Sequence, residues 1–164
     1  MAFYYCTGLA SVSMPDSVVH IGYYAFLNCD SLTDITIPKA IQSIGEGAFS
    51  CCNKIKNISL PEGLTTIGEN AFDCCYGLDA VTIPSSVERM GEHAFSSCSK
   101  LTVVTIQEGI STIEASTFQN CSNLTKVTIP NSVRIIGNDV FKHNHLVFCT
   151  YDTEVVMSSR SSLV

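Results

Sequence analysis

Phenylalanine returns every 23 residues, as Phe3, Phe26, Phe49, Phe72, Phe95, Phe118 and Phe141. No other property constrains the fold as much, because self-similarity at a fixed period marks an architecture of stacked repeats. The rest of the period keeps the same register. Three residues after each Phe stand Cys6, Cys29, Cys52, Cys75, Cys98 and Cys121, with Asn144 in the last turn. Six after it come Leu9, Leu32, Ile55, Leu78, Leu101, Leu124 and Val147. A V-x-I step follows, seen as Val81-Thr82-Ile83, and then Pro, with Gln107 as the exception. A V-x-x-I step leads to Gly22, Gly45, Gly68, Gly91 and Gly137, with Glu114 in the remaining slot. The unit reads A-F-x-x-C-x-x-L-x-x-V-x-I-P-x-x-V-x-x-I-G-x-x.

One such unit cannot bury its apolar face alone, and stacking makes a continuous core, so the chain is expected to be a solenoid. V-x-I alternates and is β-branched, which predicts a parallel strand in each turn. At about 4.8 Å per strand, six to seven turns of 23 residues give a rod roughly 30 Å long. Pro after the strand has no N–H to donate and ends the ladder. V-x-x-I-G reads as a second, shorter extended stretch closed by a Gly turn. Glu114 in that slot implies that the slot is not strictly left-handed, or that this turn is strained. The A-F-x-x-C stretch reads as a tight convex turn or a short 3₁₀ piece with Phe inward. The repeats occupy 1–144. Residues 145–164 read as a C-terminal cap or a disordered tail, since the last turn decays from Lys142 and puts Thr150 and Asp152 where apolar strand residues are expected. Its end, Ser162-Leu163-Val164, fits a loose pattern for carboxylate capture by a peptide-binding domain.

The repeat resembles the 23-residue leucine-rich repeats of the BspA-like family, on L-x-x-V-x-I-P-x-x-V-x-x-I-G-x-x-A-F-x-x-C as it stands in Leu32 to Cys52 and Leu78 to Cys98. The resemblance covers residues 1 to about 144. It departs from the general leucine-rich pattern at one slot, where small residues (Ser17, Ala40, Gly63, Ser86, Gly109, Ser132) replace Asn or Cys and imply a tight turn. The resemblance implies a leucine-rich-repeat solenoid, a place on a bacterial or protist surface, and adhesion through protein–protein contact.

Composition narrows the partners. With 46% hydrophobic and 15% charged residues, the chain has the means to bury a core. A net charge of −6 without a basic cluster argues against nucleic acid and against an anionic membrane surface. No apolar run reaches the length of a membrane span, so no membrane insertion is expected. Met1 to Cys6 lacks the pattern of a secretory signal. A cytoplasmic location therefore stays open beside the cell-surface or extracellular one that the resemblance implies.

Nine cysteines admit several readings. The six in one register are either a column of disulfides or metal ligands, or a buried ladder of thiols acting as small apolar residues. Asn144 in the same slot favours the ladder, because Asn reaches backbone groups in a bend and cannot be half of a disulfide. Cys51 and Cys74 share a second register. A bridge between them would form only in an oxidising compartment, and a zinc site with Cys52 and Cys75 would need four converging sulfurs. Cys149 has no repeat-based role. His20 and His93 fall in variable slots, and His143 and His145 form an H-x-H that reads as an exposed turn or a metal recruiter. Glu46, Glu69 and Glu92 form a solvated file. No nucleophile elbow, carboxylate pair or phosphate loop is present, so no enzyme, resident metal or cofactor is expected.

The strand face carries the functional expectation. Its outward columns are Thr36, Ser59, Thr82, Thr105 and Thr128, continued by Ser13 at the start, and the variable Asp34, Asn57, Ala80, Val103 and Lys126, preceded by Ser11. A framework rigid inside and variable outside suits a protein-binding or adhesion module, with a host or cell-surface protein as partner. The alternatives are a passive spacer or fragment of a longer surface array, or a hydroxyl file that orders glycans or ice. The first turn, with Phe3, Leu9, Val12 and Met14 unprotected, is expected to be continued by further turns or covered by a second copy in self-association.

Overall fold

The computed structural model describes residues 1–150 and 156–157. Asp152 and the end motif Ser162-Leu163-Val164 lie outside them. Short strands follow one another along the chain: β1 (Ser11–Val12), β2 (His20–Ile21), β3 (Asp34–Ile35), β4 (Ser43–Ile44), β5 (Thr66–Ile67), β6 (Ala80–Ile83), β7 (Arg89–Met90), β8 (Val103–Ile106), β9 (Thr112–Ile113), β10 (Lys126–Thr128), β11 (Ile135–Ile136), β12 (Phe148–Thr150) and β13 (Val156–Met157). Every pairing is parallel, and neighbours are mostly 23 residues apart, as in Val81↔Val104↔Val127. The result is a β-solenoid with two ribbons. The V-x-I ribbon runs β1-β3 and then β6-β8-β10-β12, and the shorter V-x-x-I ribbon runs β2-β4-β5-β7 and then β9-β11-β13.

The Phe side chains form one file inside the coil. Successive rings from Phe3 to Phe141 stack with centroids 5.0 to 6.0 Å apart and planes within 12° of parallel. Phe49, Phe72, Phe95 and Phe118 are fully buried, as are Leu32, Ile55, Leu78, Leu101 and Leu124 beside them. Inward residues of the V-x-I ribbon alternate with exposed ones in β6, which is why its sequence reads with period two.

Of the two forms expected for A-F-x-x-C, the chain takes the turn. Amides within it bond three residues back, as Ala71 to Gly68 and Cys75 to Phe72 do, each closing a β-turn. Left-handed residues interrupt it on both sides of each inner Phe: Tyr24 and Asn28, Asn70 and Cys74, His93 and Ser97, Ser116 and Asn120, with φ from 52 to 59°. A non-glycine residue there carries about 1 kcal/mol or more of strain. The bonds it makes offset this: the amides of Asn70, Phe72 and Cys74 donate to the carbonyls of Glu92, Ala94 and Ser96 at 2.8 to 3.0 Å, and the other turns repeat the set. The kinked backbone thus builds a third inter-turn ladder, which the sequence pattern does not show.

The Gly column answers to close approach rather than to handedness, since none of its members has positive φ. A Cβ on Gly68 would lie 2.6 Å from the backbone of Gly45 and Glu46, and one on Gly91 would lie 2.5 Å from Glu69. Glu114 puts a side chain into this slot, and its turn stands off. The bonds Gly68 to Ile44, Gly91 to Ile67 and Gly137 to Ile113 are made, but among the described residues their counterpart from Glu114 to Met90 is missing, and β7 and β9 do not pair. The expected strain is relieved as a local gap in the second ribbon.

The last turn corrects the sequence register. Lys126, Val127 and Thr128 pair with Phe148, Cys149 and Thr150, so one residue is missing after Phe141. Leu146, half-buried, takes the Leu slot, whereas Val147 is 70% exposed. Cys149 holds the apolar strand slot, packed against the core, and the backbone of Thr150 pairs with Thr128 rather than breaking the strand. Keeping the ladder paired and Leu146 covered outweighs keeping the count of 23.

Three substitutions test this account. Gly68→Ala is expected to lose about 1–3 kcal/mol by urea unfolding, because the backbone of the neighbouring turn cannot yield. Glu114→Gly should close the second ribbon, seen as slower amide exchange at position 114, while Phe72→Ala should cost about 3–5 kcal/mol.

Candidate functional site

The V-x-I ribbon places the expected residues in two straight columns. Ala80, Val103 and Lys126 sit opposite one another in β6, β8 and β10, and Asn57 joins them through a single bridge to Ala80. Thr82, Thr105 and Thr128 form the second column, in register with Thr150. Asn57, Ser59, Ala80, Thr82 and Lys126 are exposed, while Val103, Thr105 and Thr128 are half-buried. Thr36 is exposed too, but it follows β3, and Asp34 pairs with Ser11 there, on a separate two-stranded piece. The face is therefore continuous from Asn57 to Thr128 and divided from its first two turns.

Hydroxyls on this ribbon have two fates. Thr33, Thr102 and Thr125 donate Oγ1 to the carbonyl one turn earlier, at 3.0 to 3.3 Å, and so tie turn to turn, as Thr65 does beside the second ribbon. The hydroxyls of Thr82, Thr105 and Thr128 make no hydrogen bond among the described residues, which leaves a row of unspent donors and acceptors facing solvent.

The cysteine column is a thiol ladder with a job. Sγ of Cys29, Cys52, Cys75, Cys98 and Cys121 donates to the carbonyl of Phe3, Phe26, Phe49, Phe72 and Phe95, at 3.1 to 3.3 Å. All five are fully buried. Asn144 in the same slot donates Nδ2 to Phe118 at 3.0 Å, so the substitution keeps the bond and changes the donor. Burial pushes the Cys52 thiol up to about 12 and holds Cys75 and Cys98 well above the ordinary 9.0. These thiols are inert packing groups, not nucleophiles.

Other candidates disperse. His20 Nδ1 pairs with Ser43 Oγ at 2.8 Å in the open, and His143 and His145 are exposed. His93 is half-buried, at a left-handed position. Among the described residues no three His, Cys, Asp or Glu side chains gather where a metal could sit. Glu46 leaves the solvated file, half-buried and hydrogen-bonded by the Tyr24 hydroxyl, while Glu69 and Glu92 stay exposed. No helix of the described chain is long and apolar enough to cross a membrane.

A second face was missed in the sequence. The V-x-x-I ribbon also sets out residues in register, Ser43, Thr66 and Arg89, with Thr112 and Ile135 beyond its gap. Arg89 and Ile135 are exposed. The signal was available, since these slots vary as freely as those of the first ribbon.

The BspA type leucine rich repeat region model matches residues 1–102, in six copies. The chain is similar to a leucine-rich repeat protein of Bacteroides ovatus (31% identity, TM-score 0.82), covering 92% of this chain and 39% of that one. It is similar to the leucine-rich repeat protein of T. pallidum (32% identity, TM-score 0.81), covering 88% of this chain and 67% of that one. A leucine-rich cell surface protein of Faecalibacterium prausnitzii shares 27% identity and a TM-score of 0.57, over 92% of this chain and 56% of that one. The chain thus spans well under half of the Bacteroides protein. No curated protein matches it.

The ladder has a pH signature. Unfolded thiols ionise from about 9 upward while Cys52, Cys75 and Cys98 stay protonated in the fold, so the native state holds more protons and its stability falls as pH rises from 9 towards 12. The urea midpoint should fall over that range, and Cys75→Ala should flatten the fall while losing about 1 kcal/mol at neutral pH for the orphaned Phe49 carbonyl.

Proposed function

The chain belongs to the BspA-type leucine-rich repeat family, and from that premise we propose that it is a non-enzymatic protein-binding or adhesion module displayed at the cell surface or outside the cell. What supports the reading is the V-x-I ribbon from Asn57 to Thr128: in register, exposed or half-buried, and lined by hydroxyls with no partner among the described residues. Beneath it Val81, Val104 and Val127 are buried, so the outward positions are held by a packed core and pay little ordering entropy on binding. Variation falls outward, at Asn57, Ala80, Val103 and Lys126, and uniformity inward. That division permits new partners without loss of the scaffold. The cell-surface description of the Faecalibacterium protein supports the location. Self-association through the first turn is a further part of the proposal, supported by the exposure of Phe3, Tyr4 and Tyr5 and the half-burial of Val12 and Met14.

A second reading, of glycan or ice ordered on the Thr82, Thr105 and Thr128 file, is favoured by its register alone. Thermal hysteresis or glycan-array signal abolished by Thr105→Lys would put it first.

The test is capture from host or cell-surface extracts on the immobilised chain, with the retained protein identified and its affinity measured. Thr82→Lys, Thr105→Lys and Lys126→Ala should each weaken binding about tenfold or more, which is 1.4 kcal/mol, and leave the melting temperature nearly unchanged. Equal binding by all three, with loss on Arg89→Ala instead, would move the site to the second ribbon. No retained protein at all would leave the chain a spacer. Light scattering that shows a monomer at high concentration would remove self-association.

A further inference from the structure

The nine cysteines sort by access. Five ladder thiols are sealed between turns, each spent on a Phe carbonyl. Cys6, Cys51, Cys74 and Cys149 have solvent access. Cys6 stands in the first turn and Cys149 on β12, far apart along the coil. Cys51 and Cys74 occupy one column on adjacent turns, two residues beyond Phe49 and Phe72, whose ring centroids are 5.3 Å apart with planes 11° from parallel.

Their backbones match. Both are left-handed, at φ 59° and 57°, and the Cys51 amide donates to the Asp73 carbonyl at 2.8 Å. Backbones hydrogen-bonded side by side lie about 4.8 Å apart, inside the Cα range a disulfide spans, about 4.4–6.8 Å. Both thiols lie on a half-buried edge, one repeat apart on adjacent turns. Cys51 shares a 3.7 Å contact with Ser50 Oγ, while Cys74 donates to Asp73 Oδ2 at 3.4 Å and takes a hydrogen bond from the Tyr76 hydroxyl, which the bridge would displace. Asn28 and Asn120 hold the same column elsewhere, as suits a left-handed residue, so backbone conformation gives no reason for two successive Cys. The position has a mechanical sense. Between these turns the V-x-I ribbon is reduced to the lone Asn57 to Ala80 bridge, where the later turns have full strand pairing.

We propose that Cys51 and Cys74 form a redox-sensitive disulfide that staples the third turn to the fourth. A low-molecular-weight disulfide is the oxidant. The thiolate of one cysteine attacks it, forming a mixed disulfide and releasing one small thiol. The thiolate of the other attacks the protein sulfur of that mixed disulfide, the Sγ–Sγ bond forms, and the second small thiol leaves. The two cysteines give up two protons and two electrons, and the oxidant is reduced to two thiols. Closing a loop of one repeat restricts the unfolded chain, so the oxidised form is the more stable. The staple lies in the A-F-x-x-C turns and not in the strands of the V-x-I ribbon, and it stands whether or not the adhesion reading does.

The experiment equilibrates the full chain with oxidised and reduced glutathione, counts thiols after denaturation, and maps linked peptides by mass spectrometry. Two of the nine thiols should disappear, with Cys51 linked to Cys74 and the melting temperature raised by several degrees over the reduced form. Cys51→Ser should retain a single glutathione on Cys74 and lose the redox-dependent shift in melting. Separate glutathione adducts on Cys51 and Cys74 in the unaltered chain would overturn the proposal, and so would nine persisting thiols or a cross-link made through Cys6 or Cys149.

Discussion

Stacking of one turn on the next is the contact from which the structure is made, and the Phe file shows its terms. A ring at 5.0 to 5.6 Å from its neighbour through the inner turns, nearly parallel to it, leaves no room for a residue that varies in size. The same spacing lets each Cys thiol reach the Phe carbonyl of the turn before and lets the left-handed residues trade strain for inter-turn bonds. The Phe ring and the Cys thiol both reach across to the neighbouring turn. Each is a device for recognising the neighbour, and so the array is regular where turns touch and free where they do not.

That rule also explains the irregularities. Glu114 breaks close approach at one slot, and the cost appears as a gap in the second ribbon, while the first ribbon runs on through β6, β8 and β10. The first ribbon thins at Asn57, and there the second continues through β4 and β5. With two ribbons, a file of rings and a turn ladder in parallel, no single fault unstacks the coil. Such redundancy lets the outward positions change without reference to one another, as a binding surface requires.

Legibility followed the same division. The period, the inward Phe, Leu and V-x-I residues, the thiol ladder and the parallel strand were readable because each depends on residue type repeated in register. Asn144 for Cys was readable too, since the substitution preserved a donor. The reason for the Gly column was not, because glycine serves handedness and close approach alike, and the two part only when the neighbouring backbone is in place. Val147 misled for a related reason: counting by 23 cannot see that the ladder accepts a deletion if Leu146 and Cys149 are thereby covered.

For the candidate face, sequence determined which columns point outward, since period two and an apolar core leave Thr82, Thr105 and Lys126 no other place. Tertiary structure decided the rest. It separated the hydroxyls spent on neighbouring carbonyls, such as Thr102, from those left open, such as Thr105. It divided the face before Asn57 and brought up a second ribbon on which Arg89 and Ile135 are exposed. Those outcomes depend on distances between turns, and a repeating pattern specifies which residues are stacked but not how closely each pair of turns can approach.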